Sequence, residues 1–245
     1  MPTRTHSELK LRDIPLHIDI QGEGAFETAL IQIESGEEFF SESGAMYRAT
    51  NNVDIDVTRR KRGGGTGLLA GAKRLLAGEN FFYSRYATTD GQPGEVGLAP
   101  VHQGQLRVIE VDSSRDWMCA GGSYLANSAE LEIDTQFQGM KGVLTGESLF
   151  FLKVTGYGSL LVSGFGRLVE MEVRDALTID TGHLVAFEST LEYTVTKAAG
   201  SWFQSFLTGE GFVMNFTGSG RILTQSHNPR EFGKRVGPLL PPRES

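Results

Sequence analysis

The sequence predicts an all-β protein, and three observations support that class. Glycine accounts for 31 of the 245 residues, about 13% against about 7% in average chains. Stretches such as Leu16–Ile20 alternate apolar and polar residues and end at glycine, which is typical of strands bounded by turns. The third observation is a motif that returns three times along the chain.

The recurring motif is Leu-x-Gly-Glu followed at once by an apolar strand. It occurs at Leu76–Glu79, Leu144–Glu147 and Leu207–Glu210. A unit built around one copy of this motif is too small to bury its own apolar face, so the three units are expected to pack around a shared core. The repetition therefore predicts three internal pseudo-repeats within one β body.

A second recurring element is a strand, a glycine turn, a short strand and a clearly alternating strand. Its turn glycines are Gly44, Gly122 and Gly182, and each is expected to adopt a positive φ. The two elements together define units of about 29–111, 112–173 and 174–226. We predict a flexible leader at 1–13, a single repeated β domain at 14–226 and a C-terminal tail at 227–245.

One or two short helices are expected in the connectors between strands. In the first unit Thr66 can cap a helix that Gly78 ends, and in the third unit Ser201–Leu207 has the same apolar spacing. The corresponding connector of the second unit is too short and too rich in glycine. After Gln225 the chain becomes polar and can begin its tail with one helical turn.

Charge and composition limit the possible functions. The chain has 23 Lys and Arg against 30 Asp and Glu, a net charge of −7, which argues against broad nucleic-acid binding. The single cysteine, Cys119, excludes an intrachain disulfide and is expected to be a small buried hydrophobe. No secretory signal or membrane-spanning stretch is recognisable in the sequence, so a cytoplasmic location is expected.

The carboxylates of Glu79, Glu147 and Glu210 allow two interpretations. They can converge near a pseudo-threefold axis and offer a site to a hard cation. Alternatively, each accepts backbone N–H bonds within its own turn, which is the favoured interpretation because no His or Asp stands beside them at ligand spacing. The sequence accordingly predicts no metal site, no cofactor and no catalytic residue.

Two other clusters are candidate sites. The run Arg59–Arg62 precedes a glycine-rich loop and is either a solvated charged loop or a local site for an anion or an acidic partner. It does not match a P-loop, which requires Gly-Lys-Ser/Thr. His183 can pair with Asp180 in a turn, and the five histidines of the chain have no metal-ligand spacing.

Several of these stretches together resemble a known family. They are Glu42–Met46, Leu98–Pro100, Tyr124–Ala126, Gly156–Gly158 and Asp180–Ala186, with the three Leu-x-Gly-Glu turns. In this order they resemble the altered-inheritance-of-mitochondria (mitochondrial-biogenesis) family over about residues 28–226. The resemblance implies a β-sandwich or double-stranded β-helix fold similar to that of the tryptophan RNA-binding attenuator protein (TRAP-like). It brings no catalytic residues that could be carried over to this chain.

The leading functional hypothesis is a non-enzymatic β scaffold that acts through protein assembly or through binding of a small ligand. Self-association into a homo-oligomer is the expected partnership, and an unknown protein or small molecule remains a second possibility. The alternative is a metal- or ligand-dependent enzyme of the double-stranded β-helix kind, with His183 or carboxylates in a pocket. Nucleic-acid binding through Arg59–Arg62 is the least favoured hypothesis, because the net charge is negative.

Overall fold

The computed structural model describes residues 16–58, 83–112, 114–137, 150–197 and 212–241. These residues form nineteen strands, one α-helix and three 3₁₀ turns. The elements are β1 (His17–Gln21), β2 (Thr28–Ile33), β3 (Glu38–Glu42), β4 (Met46–Ala49), β5 (Val53–Thr58), β6 (Tyr83–Thr88), β7 (Gly94–Leu98), β8 (Leu106–Val111), β9 (Trp117–Ala120), a 3₁₀ turn (Gly121–Ser123), β10 (Tyr124–Ser128), β11 (Glu132–Phe137), β12 (Phe150–Thr155), β13 (Gly158–Ser163), β14 (Leu168–Val173), β15 (Ala176–Asp180), a 3₁₀ turn (Thr181–His183), β16 (Leu184–Glu188), β17 (Glu192–Lys197), β18 (Phe212–Thr217), β19 (Gly220–Gln225), α1 (Pro229–Val236) and a 3₁₀ turn (Gly237–Leu239).

The strands form four sheets, and every pair of neighbouring strands is antiparallel. The first sheet has the order β1-β2-β7-β4, and the second has the order β5-β6-β3-β10-β13-β8. The third sheet has the order β11-β12-β9-β16-β19-β14, and the fourth has the order β15-β18-β17. The predicted all-β class is confirmed, and the specific TRAP-like arrangement stays a prediction.

The strand order follows one regular rule. Adding six to each strand number of the second sheet gives the third sheet. The same step turns β4-β7-β2 of the first sheet into β10-β13-β8, and turns β11-β12-β9 into β17-β18-β15. Strands that differ in number by six are called corresponding strands below.

Three apolar cores lie between successive sheets. The first core joins the first two sheets and includes Ile31, Tyr86 and Leu161. The second core joins the second and third sheets, and its largest fully buried side chains are Trp117 and Tyr124. The third core joins the third and fourth sheets and is described below. Because central strands such as β13 are apolar on both faces, they can bury both faces between these cores.

The tail and the turn glycines correct two expectations. The tail contains the two-turn helix α1, longer than the single turn expected, and the connector helices predicted at 66–78 and 201–207 lie outside the described residues. Gly44 has a φ of 91°, as predicted, but Gly122 and Gly182 have no positive φ because they lie within 3₁₀ turns. At Gly182 the side chain of Asn228 occupies the space that a Cβ would need.

The connections that lead into β2, β8 and β14 stack on one another. The N–H of Glu27 donates to the carbonyl of Gly104 at 3.2 Å, and Gly104 in turn forms a parallel bridge with Gly166. A Cβ at position 104 would collide with the carbonyl oxygen of Gly164. The stack therefore needs glycine at position 104 because of this close approach, and not because of its backbone φ.

We expect Gly104→Ala to lower the free energy of unfolding by about 2 kcal/mol, because overpacking against backbone forces the stacked connections apart. Urea denaturation followed by circular dichroism measures the change. Gly122→Ala is the matched control, since Gly122 is not at positive φ and has open space around it. The control should stay within about 0.5 kcal/mol of the parent protein. Equal midpoints for the two variants would contradict this role for Gly104.

Candidate functional site

Strand β4 is an exposed strand at the end of the first sheet. Its outer side has no neighbouring strand in the part of the chain that the structure describes. Met46 is 36% exposed and Tyr47 is 50% exposed. The guanidinium of Arg48 lies 6.0 Å from the Tyr47 ring centroid, and the ring packs over Gly97 of the neighbouring strand β7. An unpaired edge that carries exposed apolar side chains is a template for another strand.

The strands that correspond to β4 are β10 and β16, and both are completely buried. The three strands have the same register, since each pairs with its neighbour across a local shift of register. The residue pairs that follow the shift are Arg48 with Gly97, Ala126 with Leu161, and Ala186 with Leu223. Strand β10 is covered on its outer side by β3, and β16 by β9. Among the described strands, β4 has no such neighbour on its outer side, and its side chains are accordingly exposed.

Strand β15 is the complementary open edge, at the other end of the molecule's strand order. It corresponds to β3 and β9, which each pair with two strands, whereas β15 pairs with β18 alone among the described strands. The residue at the same position in the three strands is Ser41, Cys119 or Ile179, opposite Ser84, Leu152 or Met214 respectively. Inside the chain, the strands that correspond to β15 pair with the strands that correspond to β4. The two open edges therefore belong to two kinds of strand that pair with each other.

The third core has one wall fewer than the other two. In the first core Leu125, Ala126 and Leu161 form one wall, and in the second core Val185, Ala186 and Leu223 form it. The third core contains Ile179, Met214 and Phe216, and the described residues that follow β19 include no strand that could supply such a wall. By the shared register, the residues that correspond to this wall are Tyr47, Arg48 and Gly97, on the exposed strand β4 and its neighbour.

A polar cleft of about 570 Å³ lies beside β14 in the third sheet. At its base is Glu188, whose side chain is only 3% exposed. The carboxylate accepts hydrogen bonds from Nε of Arg221 at 2.6 Å and from the backbone N–H of Arg221 at 3.1 Å. It also accepts one from Arg115 at 3.3 Å. The Arg221 guanidinium lies 5.1 Å from the ring centroid of Trp117.

These contacts determine the charge of Glu188. Burial by itself would raise the pKa of the Glu188 carboxyl, but hydrogen bonds and charge attraction from Arg221, with a hydrogen bond from Arg115, outweigh it and lower the pKa. The corresponding residues Thr50 and Ser128 also accept a hydrogen bond from a backbone N–H of the adjacent strand, at 3.0 and 2.9 Å. The main role of this position is therefore to tie two strands together.

Most residues that the sequence singled out do not form one site. Glu79, Glu147 and Glu210 and the run Arg59–Arg62 lie outside the described residues. Asp180 accepts a hydrogen bond from the N–H of Gly182 at 2.7 Å, while Nδ1 of His183 lies 2.8 Å from the carbonyl oxygen of Gln225. His183 therefore does not pair with Asp180 as suggested. Asp180 bonds within its own turn, and His183 contacts strand β19. His183 does not line the cleft beside β14.

Two further findings concern metal ligands and Cys119. Within the described ranges no group of three or more His, Cys, Asp or Glu side chains is arranged to hold a metal ion. Cys119 is fully buried, which confirms its prediction as a small buried hydrophobe, and burial raises the pKa of its thiol far above the usual range. No helix among the described residues has the length and apolar character needed to cross a membrane.

Tyr47 and Glu188 are not among the residues singled out from the sequence. For Tyr47 a signal was present, because Met46 and Tyr47 stand where the corresponding strands β10 and β16 have buried apolar residues, yet a sequence does not show which strand lacks a neighbour. For Glu188 the signal was a carboxylate at the position of Thr50 and Ser128. Only the strand register shows that these three positions correspond.

Comparison with known proteins identifies a family and similar proteins from Streptococcus pyogenes. The family model described as mitochondrial biogenesis AIM24 matches residues 18–227. The chain is 31% identical over 243 residues to an uncharacterised protein of Streptococcus pyogenes serotype M6, with 97% of this chain and 96% of that protein covered. It also superimposes on the crystal structure of a Streptococcus pyogenes protein from a structural genomics consortium. That comparison has a TM-score of 0.77 and 27% identity, and covers 92% of this chain and 100% of the other.

Proposed function

The chain belongs to the mitochondrial biogenesis AIM24 family, and from this starting point we propose that it is a non-enzymatic β scaffold that assembles with copies of itself. The observation that carries the proposal is the contrast in burial between β4 and its corresponding strands. Tyr47 is 50% exposed, whereas Leu125 and Val185 at the same position are 0% exposed. The proposal takes the three sets of corresponding strands as copies of one repeating unit. The place of action that we propose is the cytoplasm, as expected from the sequence.

Assembly in this proposal joins β15 of one copy to β4 of the next. Inside the chain β3 pairs with β10 and β9 pairs with β16, so the next pairing in the series requires a strand of the β4 kind after β15. The wall of the third core is then supplied by the exposed Tyr47 and by Arg48 of the second copy. Each contact buries apolar surface on β15 of one copy and on β4 of the next, which favours assembly.

The contact is head-to-tail, because two different edges meet. Such an interface closes into a ring if the rotation between copies permits, and otherwise builds a filament. Internal junctions supply the register. Ala126 pairs with Ser41 and Asn127 with Phe40 at one junction. Transferred to the contact between copies, this register pairs Arg48 with Ile179 and Ala49 with Thr178.

Disulfide cross-linking between copies tests the proposal. Ala49→Cys and Thr178→Cys are chosen because residues directly opposite each other in an antiparallel pair have Cβ atoms about 4.5–5.5 Å apart, near the range that disulfides span. The two changes are made in separate chains, so that a disulfide can form only between copies. Buried Cys119, the natural cysteine, should not react. After mild oxidation we expect a covalent dimer in the mixture of the two variants and none from either variant alone.

Native mass spectrometry of the unmodified protein accompanies the cross-linking and should show a complex of several copies. Ser219→Cys mixed with Thr178→Cys is the control, since Ser219 lies in the turn between β18 and β19 and not on β4, and should give no dimer. A monomer at all accessible concentrations would refute self-assembly. A disulfide within one chain that carries both Ala49→Cys and Thr178→Cys, with no dimer in the mixture, would also refute self-assembly. It would show that β4 and β15 of the same chain lie side by side.

A further inference from the structure

The first sheet has a feature that the second and third sheets lack. Strand β1 covers the outer edge of β2, pairing Ile18 with Ile31 and Ile20 with Ala29. Ile18 and Ile20 pack against the first core, and Ala29 and Ile31 are fully buried. The corresponding strands β8 and β14 are the last strands of their sheets in the described part of the chain. The position that β1 fills on β2 is open on both.

Strand β14 has an apolar side that could accept a strand in this position. Val169 and Met171 correspond to Ala29 and Ile31, because β14 pairs with β19 as β2 pairs with β7. Val169 is 40% exposed, and Met171 is partly buried against the third core. A strand placed beside them with apolar side chains opposite Val169 and Met171 would extend that core, as Ile18 and Ile20 extend the first one.

The other side of β14 is acidic and contributes to the cleft. Glu170 and Glu172 alternate with the apolar residues and line the cleft together with Arg115 and Arg221, and Met171 of the apolar side also borders it. The Arg221 guanidinium is committed to Glu188 at 2.6 Å and lies 3.9 Å from Glu170. Glu172 pairs with Arg174 at 2.8 Å, where both side chains are exposed, so this ion pair is weak and exchangeable.

We propose that β14 binds an extended peptide segment of a partner protein as an additional antiparallel strand. Main-chain hydrogen bonds supply affinity in this mode of recognition, and alternate side chains supply specificity. By the register of β1, the partner residues opposite Val169 and Met171 are apolar. The residues opposite Glu170 and Glu172 are lysine or arginine, because opposite charges stabilise directly facing pairs and like charges destabilise them.

A second copy of this chain does not fit the same position. Its own β1 is already paired with β2, and in the β1 register Asp19 would face Glu170, since Asp19 faces Leu30 within the chain. The site also differs from the β4 and β15 edges that self-assembly uses. Peptide binding at β14 therefore goes beyond the proposed scaffold and is tested separately from it.

Two synthetic peptides test the proposal, both copying residues 15–22 of the chain. One carries His17→Lys and Asp19→Lys, and the other carries His17→Asp and keeps Asp19. Fluorescence anisotropy at low salt measures their binding to the complete protein. We expect the lysine peptide to bind about tenfold more tightly than the aspartate peptide, since two facing pairs change from attraction to repulsion. Absence of binding by the lysine peptide would overturn the proposal.

Charge reversal on the protein separates this site from general electrostatic attraction. The variant with Glu170→Lys and Glu172→Lys should prefer the aspartate peptide. The variant with Asp54→Lys and Glu192→Lys has the same net charge, carries its changes on other edge strands and should keep the preference of the parent protein. Equal loss of lysine-peptide binding in both variants would show non-specific attraction and overturn the site. Circular dichroism of each variant confirms folding.

Discussion

Replacement of Phe187 by alanine is expected to lower the free energy of unfolding by about 3–5 kcal/mol, the range for a fully buried aromatic side chain. Phe187 lies on β16 and is 0% exposed. Its ring meets those of Phe151 at 5.5 Å, Tyr193 at 5.3 Å and Phe216 at 5.0 Å, measured between ring centroids. These partners belong to the third and fourth sheets, so the ring joins two sheets.

The loss has two physical parts. Removing the ring deletes apolar burial and leaves a cavity that the surrounding strands cannot fill, because β16 is held between β9 and β19. Since domain stability is commonly about 5–15 kcal/mol, a large share of it would disappear. Chemical denaturation measures the change, with Tyr157→Ala at a 51% exposed position as the control. A loss below about 1 kcal/mol would contradict the role assigned to the ring cluster.

Replacement of Glu188 by alanine is expected to cost about 2–3 kcal/mol, because it removes a buried carboxylate that accepts several charge-assisted hydrogen bonds, although water can hydrate the partly exposed guanidinium groups of Arg221 and Arg115. The variant removes the acceptor for the backbone N–H of Arg221 and the hydrogen bonds of two guanidinium groups. Glu188→Gln should cost less, since the amide oxygen can still accept from the backbone. A smaller loss in the alanine variant than in the glutamine variant would contradict this account.

The same carboxylate should make stability depend on pH. Its folded-state pKa is lowered from the ordinary value of 4.5, so the folded state prefers the charged form. The stabilising contribution is present above the unfolded-state pKa and disappears as pH falls through the folded-state pKa. We expect the parent protein to lose more stability than Glu188→Gln between about pH 6 and about pH 3. An equal loss of unfolding free energy in the two proteins over this pH range would refute the linkage.

The local patterns predicted the strands well. Alternating residues in Leu16–Ile20 became β1, and the three-strand elements beginning near Phe40, Trp117 and Leu177 became β3–β5, β9–β11 and β15–β17. These predictions depended on neighbours in sequence, since a period of two reflects side chains that point to opposite faces of one strand. The glycine turns were less predictable, because a 3₁₀ turn at Gly122 and Gly182 meets the same geometric need without a positive φ.

The candidate site was not predictable in the same way. The exposure of Tyr47 and the burial of Glu188 depend on which strands pair across long sequence separations. β4 and β16 share a glycine-preceded pattern, yet one lies at a sheet edge and the other at a sheet centre. The sequence also drew attention to Glu79, Glu147 and Glu210, which lie outside the described residues and whose convergence stays a prediction.

By itself, the sequence determined that this protein is built of short strands joined by glycine turns, and that its lone cysteine cannot form an intrachain disulfide. Alternation, glycine spacing and composition are local properties, and the backbone reads them within a few residues. Only the tertiary structure decided that β4, β14 and β15 have open edges among the strands it describes, and that Glu188 is buried between strands. Hydrogen-bonded pairing between distant strands decides both, because an edge exists only where the next strand is absent.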